Sequence, residues 1–247
     1  MGYRWPMPGA NELLTGARAA LPEAAYRTGD FAAVEALLTE ALRQAAADGD
    51  RASEAAALDQ LGELQHARTM ERPRDEWSGI DHGLERERFE RALAIRRELD
   101  DRAGVAESLL HLGWVHQALF RDGATAMPLF LEAMELAEPD GDPQVRSELH
   151  RHVGFHIALD EGRPDAALPH FQTSLDLWRS GGEPARVIHG LVALARCESM
   201  AGRHDAALAH SQEALDLVRA GSYRPRIVNS ALDARRVVEA ALPGPAT

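Results

Sequence analysis

Two pairs of carboxylate and imidazole side chains recur at a fixed interval in this sequence. Glu107 precedes His111 by four residues, Glu148 precedes His152 by four residues, and the two pairs stand forty-one residues apart. Residues four apart lie on one face of a helix, so each carboxylate can orient its histidine. A histidine held in this way can transfer a proton or bind a ligand. One interval later, His189 stands at the position of Glu148, so a third segment continues the series.

Helix pairs that repeat along the chain are predicted to position these residues. The pattern of residues 107–123 returns at 148–164 and, more weakly, at 189–203. The segments between them keep the same rhythm through four large apolar residues, Leu93, Met134, Leu175 and Leu215. One helix pair cannot bury its apolar face alone, whereas stacked neighbours bury a continuous core. We therefore predict an all-α array of helix pairs.

Three regions are predicted from where the pattern begins, breaks and ends. Residues 1–50 form an N-terminal helical cap or a divergent repeat, residues 51–222 form four helix pairs, and residues 223–247 form a C-terminal capping helix and tail. The first interval is ten residues longer than the next, which places an inserted loop at about 70–82. Trp77 predicts that this loop is ordered, because an indole ring seldom stays fully in water.

Proline and glycine punctuate the N-terminal region. Residues 1–10 are predicted to form an irregular arm. A short helix over 11–20 is expected to stop near Pro22, which suits the first turn of a second helix reaching residue 28. A strongly amphipathic helix is predicted over 31–47.

The composition indicates a soluble protein and argues against several classes of function. No run approaches the ~20 apolar residues of a membrane-spanning helix. The net charge of −12 carries no basic block, which argues against a nucleic-acid partner. The chain has no lysine, which excludes Schiff-base chemistry and a Walker-type phosphate loop. Its one cysteine, Cys197, is interpreted as a buried filler. We predict a cytoplasmic protein with no membrane partner and no cofactor.

Small residues at matched positions give the array a family resemblance. In three first helices an apolar residue precedes glycine: Leu61-Gly62, Leu112-Gly113 and Val153-Gly154. A glycine also closes the first helix before small residues recur in the second: Gly162, Ala167 and Ser174, then Gly202, Ala207 and Ala214. Over residues 30–222 this pattern resembles the tetratricopeptide repeat family in its long-repeat bacterial form. It departs by carrying Ala195 in the last glycine position and by an interval of forty to forty-one residues, against the usual ~34.

The resemblance implies a right-handed superhelical solenoid of antiparallel helix pairs, whose first helices line a concave groove. Residues on the groove side of each first helix are then candidates for ligand binding: Asp59, Glu63, His66, Glu107, His111, Trp114, Gln117, Glu148, Arg151, His152, Phe155, His189 and Arg196. Such a lining suits a ligand with cationic or hydrogen-bonding groups and an apolar body. Arg151 and Arg196 could hold a carboxylate or phosphate. The alternative is a solvated polar face without a ligand.

Three functions remain open on these residues. The first is binding of a small molecule or peptide in the groove. The second is acid–base catalysis on a small molecule, with five catalytic candidates: Glu107, His111, Glu148, His152 and His189. The third is a protein–protein interaction scaffold that uses its outer surface. No metal site is predicted, because no HExxH motif or cysteine cluster is present. The oligomeric state is left open.

Overall fold

The computed structural model describes residues 8–181 and 183–242. Throughout these residues the regular elements are helical. The α-helices are α1 (Ala10–Glu23), α2 (Phe31–Asp48), α3 (Arg51–Met70), α4 (Gly83–Glu98), α5 (Arg102–Trp114), α6 (Gly123–Ala137), α7 (Pro143–Phe155), α8 (Pro164–Gly181), α9 (Pro184–Met200), α10 (His204–Ala220) and α11 (Pro225–Ala240). Most of the predicted irregular arm, residues 1–7, and the predicted tail, residues 243–247, lie outside the described residues.

The chain divides into two compact units. The N-terminal unit ends at Val115 and the C-terminal unit begins at His116. In the N-terminal unit, helices that are consecutive in the chain from α1 to α5 pack against one another. In the C-terminal unit, consecutive helices from α6 to α11 also pack against one another. The prediction of an all-α array of consecutively packed helix pairs is therefore confirmed. No helix among residues 8–181 and 183–242 combines the length and apolar character required to cross a membrane.

Aspartate caps define where several helices begin. Before α2, α3, α5, α6 and α7, an aspartate side chain accepts a hydrogen bond from a backbone N–H of the first turn: Asp30, Asp50, Asp101, Asp122 and Asp142. The first N–H groups of a helix have no partner within the helix, so the carboxylate satisfies one and also favours the positive end of the helix dipole. A fixed start determines which side chains share each helix face.

Glycine allows the two helices of a pair to approach closely. A Cβ atom added to Gly62 on α3 would lie 2.4 Å from Cε1 of Phe89 on α4, well inside van der Waals contact. Gly154 on α7 faces Phe171 on α8 at 3.1 Å in the same way. Both phenylalanine rings are fully buried. The repeated glycine of the sequence therefore makes room for an aromatic ring of the paired helix.

The prediction that the first helix stops near Pro22 was wrong. Helix α1 runs through Pro22 to Glu23 and continues as a π-helical turn over Ala24–Thr28. Proline lacks one N–H donor, but apolar residues on both sides of it, Leu21 and Ala24, are buried in the core of the N-terminal unit. Similar π-helical turns follow α5 over Val115–Leu119 and α7 over His156–Asp160.

The inserted segment between α3 and α4 makes contacts through its tryptophan, and its being ordered stays a prediction. It contains a 3₁₀ turn over Arg74–Gly79. The indole Nε1 of Trp77 donates to the carbonyl oxygen of Arg72 at 3.0 Å, and the Arg74 guanidinium lies 5.0 Å from the centre of the indole ring. At the end of the segment, His82 Nε2 lies 3.1 Å from the carbonyl oxygen of Trp77. These contacts connect Trp77 to both ends of the segment.

Candidate functional site

A buried cluster of charged residues in the N-terminal unit contains several predicted site residues. This Arg96 cluster consists of Asp59 on α3, Arg96 on α4, and Glu107, Ser108 and His111 on α5. Arg96 donates to the Gly104 carbonyl oxygen at 2.7 Å, to the Ser108 hydroxyl at 3.0 Å and to Glu107 at 2.8 Å, and it forms an ion pair with Asp59. The Ser108 hydroxyl in turn donates to Asp59 at 2.8 Å. One guanidinium thus joins α4 to both neighbouring helices.

His111 belongs to this cluster through Asp59 rather than through Glu107. Its Nδ1 lies 3.3 Å from the Asp59 carboxylate, and its ring packs against Phe89 and Trp114, with centroids 4.9 and 4.6 Å away. Burial disfavours the charged imidazole, but the hydrogen bond to Asp59 and the negative charges of Asp59 and Glu107 outweigh it and raise the pKa of His111. His111 is therefore a buried hydrogen-bond donor to Asp59.

Glu107 has arginines as its ion-pair partners, and its interaction with His111 is one of charge without a hydrogen bond between them. Burial alone would raise the pKa of Glu107, yet the positive charges of Arg96 and Arg18 lower it to about 2. Arg18, on α1, lies 3.1 Å from Glu107. The carboxylate is held ionised between two guanidinium groups.

The remaining candidates of the N-terminal unit also face its interior. His66 Nδ1 lies 2.7 Å from Glu85, a fully buried carboxylate on α4, and the His66 ring lies 5.4 Å from the Trp114 ring. Glu63 is half-buried and close enough to favour the charged form of His111. Because Asp59, His111 and Trp114 are buried, a ligand would reach them only after the helices rearranged. Their role in ligand binding stays a prediction, with less support than the sequence suggested.

The C-terminal unit presents a second set of predicted residues along one face of α7. This α7 surface consists of Glu148, Arg151, His152 and Phe155. The tight partner of Glu148 is Arg151, whose Nε lies 2.8 Å from the carboxylate, whereas His152 Nε2 lies 3.7 Å from it. Arg151 Nη2 also lies 3.0 Å from His152 Nε2. Arginine, rather than histidine, is the main partner of the carboxylate here too.

Aromatic rings pack against the polar side chains of the α7 surface. The Arg151 guanidinium lies 5.4 Å from the centre of the half-buried Phe155 ring, which meets Phe171 edge-on at 5.1 Å. His152 stacks on Phe130 at 5.3 Å, and Gln117 fixes it from the other side, with Oε1 2.5 Å from its Nδ1. The rings hold the polar groups in fixed positions.

Further arginines surround His189 on α9. Arg186, one helical turn earlier, lies 3.5 Å from Glu148, and its guanidinium lies 4.5 Å from the centre of the Trp178 ring. Burial lowers the pKa of His189 well below its usual value, and the positive charges of Arg226, Arg151 and Arg186 lower it further. His189 is therefore neutral at neutral pH and lies in a positively charged environment.

Two other sequence predictions on α9 have clear outcomes. Arg196 forms an ion pair with Asp233 of α11 at 2.7 Å. It thus joins two helices, and its role in holding a ligand stays a prediction.

Cys197 is buried, and its thiol lies 3.2 Å from the carbonyl oxygen of Pro164. Burial raises the pKa of this thiol to about 11, so the interpretation of Cys197 as a filler is confirmed.

One segment of the C-terminal unit matches a known family. A family model described as tetratricopeptide repeat matches residues 147–220, which cover most of α7 and all of α8, α9 and α10. This match supports tetratricopeptide repeats in that segment. No curated protein matches the sequence. The match suggests a scaffold that binds a protein or a peptide.

Several residues of these charged clusters were missed from the sequence. Arg96 could have been noticed from the repeat, because the residues at the same position of the next two repeats, Ala137 and Trp178, are apolar and buried. A cation at such a position predicts a buried anion. Glu85 and Arg186 have no comparable signal, since their partners lie on other helices.

The acidic and histidine side chains also form pairs with one another, such as His111 with Asp59 and His66 with Glu85. Among residues 8–181 and 183–242, no group of three or more His, Cys, Asp or Glu residues could hold a metal ion. Several of the same carboxylates have arginine partners, whose charge-assisted hydrogen bonds are stronger than neutral ones.

Proposed function

We propose that this protein is a scaffold that binds a peptide segment of a partner protein on the α7 surface. The observation that carries the proposal is the arrangement of Glu148, Arg151, His152 and Phe155, which combines a half-buried aromatic ring with charged groups held by fixed contacts. Interface hot spots are enriched in arginine and aromatic residues of this kind. The surface also lies in the segment that matches the family model.

Acid–base catalysis has less support from the same residues. His111 is buried, and its pKa is raised by the hydrogen bond to Asp59 and by nearby carboxylates, which favours the protonated form and is less suited to a general base. His189 is neutral and could accept a proton, but the charges that lower its pKa are those of arginines, which oppose the protonated form that a base must reach. We therefore favour binding over catalysis, and a peptide over a small molecule, because the family is suggestive of protein and peptide partners.

The test is selection of a displayed random-peptide library against the immobilised full chain. Peptides that are enriched are then synthesised and titrated against the wild-type chain and against Phe155→Ala. Loss of this aromatic contact is expected to weaken binding by about 1–3 kcal/mol, roughly ten- to hundredfold. Circular dichroism confirms that the variant is folded.

Phe120→Ala provides the matched control, since Phe120 is an exposed phenylalanine of the same unit, outside the α7 surface. Its peptide affinities should stay within about twofold of wild type, as is usual for residues outside an energetic centre. Absence of any enriched peptide, or equal binding to the wild-type and Phe155→Ala chains, would remove the proposal.

A further inference from the structure

Two histidines face each other between paired helices of the C-terminal unit. His150 on α7 and His170 on α8 have their Nδ1 atoms 3.1 Å apart and their ring centroids 5.2 Å apart. Both side chains are half-buried, and α7 packs against α8. At the position of His150 the neighbouring repeats carry Leu109 and Leu191, which are fully buried. Leucine packs well at this position in those repeats, so its exchange for histidine points to a role beyond packing.

A carboxylate lies beside the outer nitrogen of His150. Glu138 Oε1 is 3.4 Å from His150 Nε2, and Glu138 Oε2 is 2.7 Å from Arg146 Nη2, one helical turn before His150. A hydrogen on Nε2 faces this carboxylate, which leaves Nδ1 of the neutral ring with its lone pair directed at His170. His170 then supplies the single hydrogen that lies between the two Nδ1 atoms.

Both imidazoles are held in the neutral form. Burial lowers the pKa of His150, and burial together with the charge of His150 lowers the pKa of His170. Neutral imidazole is the form that binds a metal ion, because the ligating nitrogen must carry a lone pair. When His170 takes the tautomer with its hydrogen on Nε2, both Nδ1 lone pairs are available to one ion and no proton is lost.

The spacing of the two Nδ1 atoms suits a single metal ion. With metal–nitrogen bonds of about 2.0–2.1 Å, nitrogens 3.1 Å apart form an angle of roughly 100° at the metal. That angle lies between the ~90° of square-planar and the ~109° of tetrahedral coordination. Histidines that bind metals commonly donate their other ring N–H to a carboxylate, and Glu138 lies where it can accept from His150.

We propose that His150 and His170 form a binding site for one late divalent transition-metal ion, such as Cu²⁺ or Zn²⁺, with water completing its coordination. Imidazole suits both ions, and Cu²⁺ binds most tightly in the divalent series. The site has two protein ligands, so it differs from the centres of three or more ligands that are absent among residues 8–181 and 183–242. It is separate from the α7 surface, because two residues turn a helix by about 200° and place His150 opposite Glu148.

The probe is Cu²⁺, titrated into the full chain without a polyhistidine tag and followed by isothermal titration calorimetry. Glycine in the buffer competes for the ion and suppresses weak sites. Electron paramagnetic resonance of the chain with one equivalent of Cu²⁺ should show hyperfine splitting from two nitrogen ligands. A spectrum from oxygen ligands alone, or no binding at micromolar concentrations, would overturn the inference.

Substitutions assign the bound ion to this pair. His150→Gln and His170→Gln should each weaken Cu²⁺ binding about tenfold or more, because even the hydrogen-bond partners of metal ligands typically contribute that much. His210→Gln is the matched control: His210 has the position on α10 that His170 has on α8, but its Nδ1 lies 2.8 Å from Glu198. Its affinity should equal that of wild type, and circular dichroism confirms that each variant is folded. If His210→Gln loses as much affinity as His170→Gln, or if the double variant His150→Gln/His170→Gln binds like wild type, the inference is wrong.

Competition between ions tests the class of metal. Zn²⁺ should displace Cu²⁺ when present in excess, because imidazole binds both ions. Mg²⁺ at the same concentration should leave the two-nitrogen spectrum unchanged, because it prefers oxygen ligands. If Mg²⁺ displaces Cu²⁺ as well as Zn²⁺ does, carboxylates rather than the two histidines hold the ion, and the inference fails.

Discussion

Arg96 is the residue whose loss should damage the N-terminal unit most. Replacing it by methionine keeps much of the side-chain volume and removes the guanidinium that bridges Asp59 and Glu107. The Arg96 side chain is 5% exposed and that of Asp59 is 2% exposed, so water cannot replace the missing partner. Breaking a buried ion pair on one side typically costs about 3–5 kcal/mol. That is a large share of the roughly 5–15 kcal/mol that stabilises an ordinary domain.

Urea denaturation followed by far-UV circular dichroism measures this loss. The curves are fitted with two transitions if the two units unfold separately, because a single free energy of unfolding is then undefined. Hydrogen exchange locates the effect: protection of α3, α4 and α5 should fall, while protection of α8, α9 and α10 stays unchanged.

Two further variants make the reasoning refutable. Arg91→Met, at an exposed arginine of the same helix that lies 3.5 Å from Glu54, should cost no more than about 1 kcal/mol. The double variant Arg96→Met/Asp59→Asn should lose less free energy of unfolding than the sum of the two single variants, because it leaves neither charge of the Arg96–Asp59 pair buried without its partner. If Arg96→Met costs no more than Arg91→Met, the cluster does not stabilise the unit and the argument is refuted.

Three other predictions follow from single contacts. Gly62→Ala should lower the free energy of unfolding by about 1–3 kcal/mol, because its Cβ would meet the Phe89 ring, whereas Gly16→Ala, with its nearest neighbour at 3.9 Å, should be neutral or stabilising in the same urea assay. The pKa of Glu107 is lowered from 4.5 to about 2, so its ionised form stabilises the folded state at pH values above 4.5. This contribution is lost as the pH falls from about 5 to 2. Glu107→Gln should therefore remove up to about 3 kcal/mol of the pH dependence of the free energy of unfolding in this range. Cys197, with a pKa of about 11, should not react with a disulfide reagent at pH 8 in the native protein but should react quickly in urea.

The helices could be predicted from the sequence because their signals are local. The apolar stripes, the aspartate caps and the recurring glycines each act within a few residues, and the structure places helices close to the predicted bounds, such as 31–48 for the predicted 31–47. Pro22 misled the prediction because a local rule was outweighed by burial of its neighbours. The contacts of Trp77 in the inserted segment agree with the expectation that its large ring does not stay fully in water.

The partners of the charged residues could not be predicted in the same way. Spacing of four residues placed Glu107 and His111 on one face of α5, and Glu148 and His152 on one face of α7. In the structure, however, the shortest contacts of both carboxylates are with arginines. Arg96 and Arg186 belong to neighbouring helices, and their reach depends on helix packing rather than on sequence spacing. A long guanidinium side chain with five donors competes well against a nearby imidazole.

What the sequence by itself determined about this protein is the repeating all-α architecture, the tetratricopeptide repeat pattern of residues 147–220, and the identity of the side chains on each first helix. Only the tertiary structure decided which of those side chains are buried and which remain near the surface. Asp59 and His111 are buried in an internal cluster, while Arg151 and Phe155 remain partly exposed on α7. The physical reason is that periodicity along a helix defines its faces, whereas the burial and charge of a face depend on the helices that pack against it.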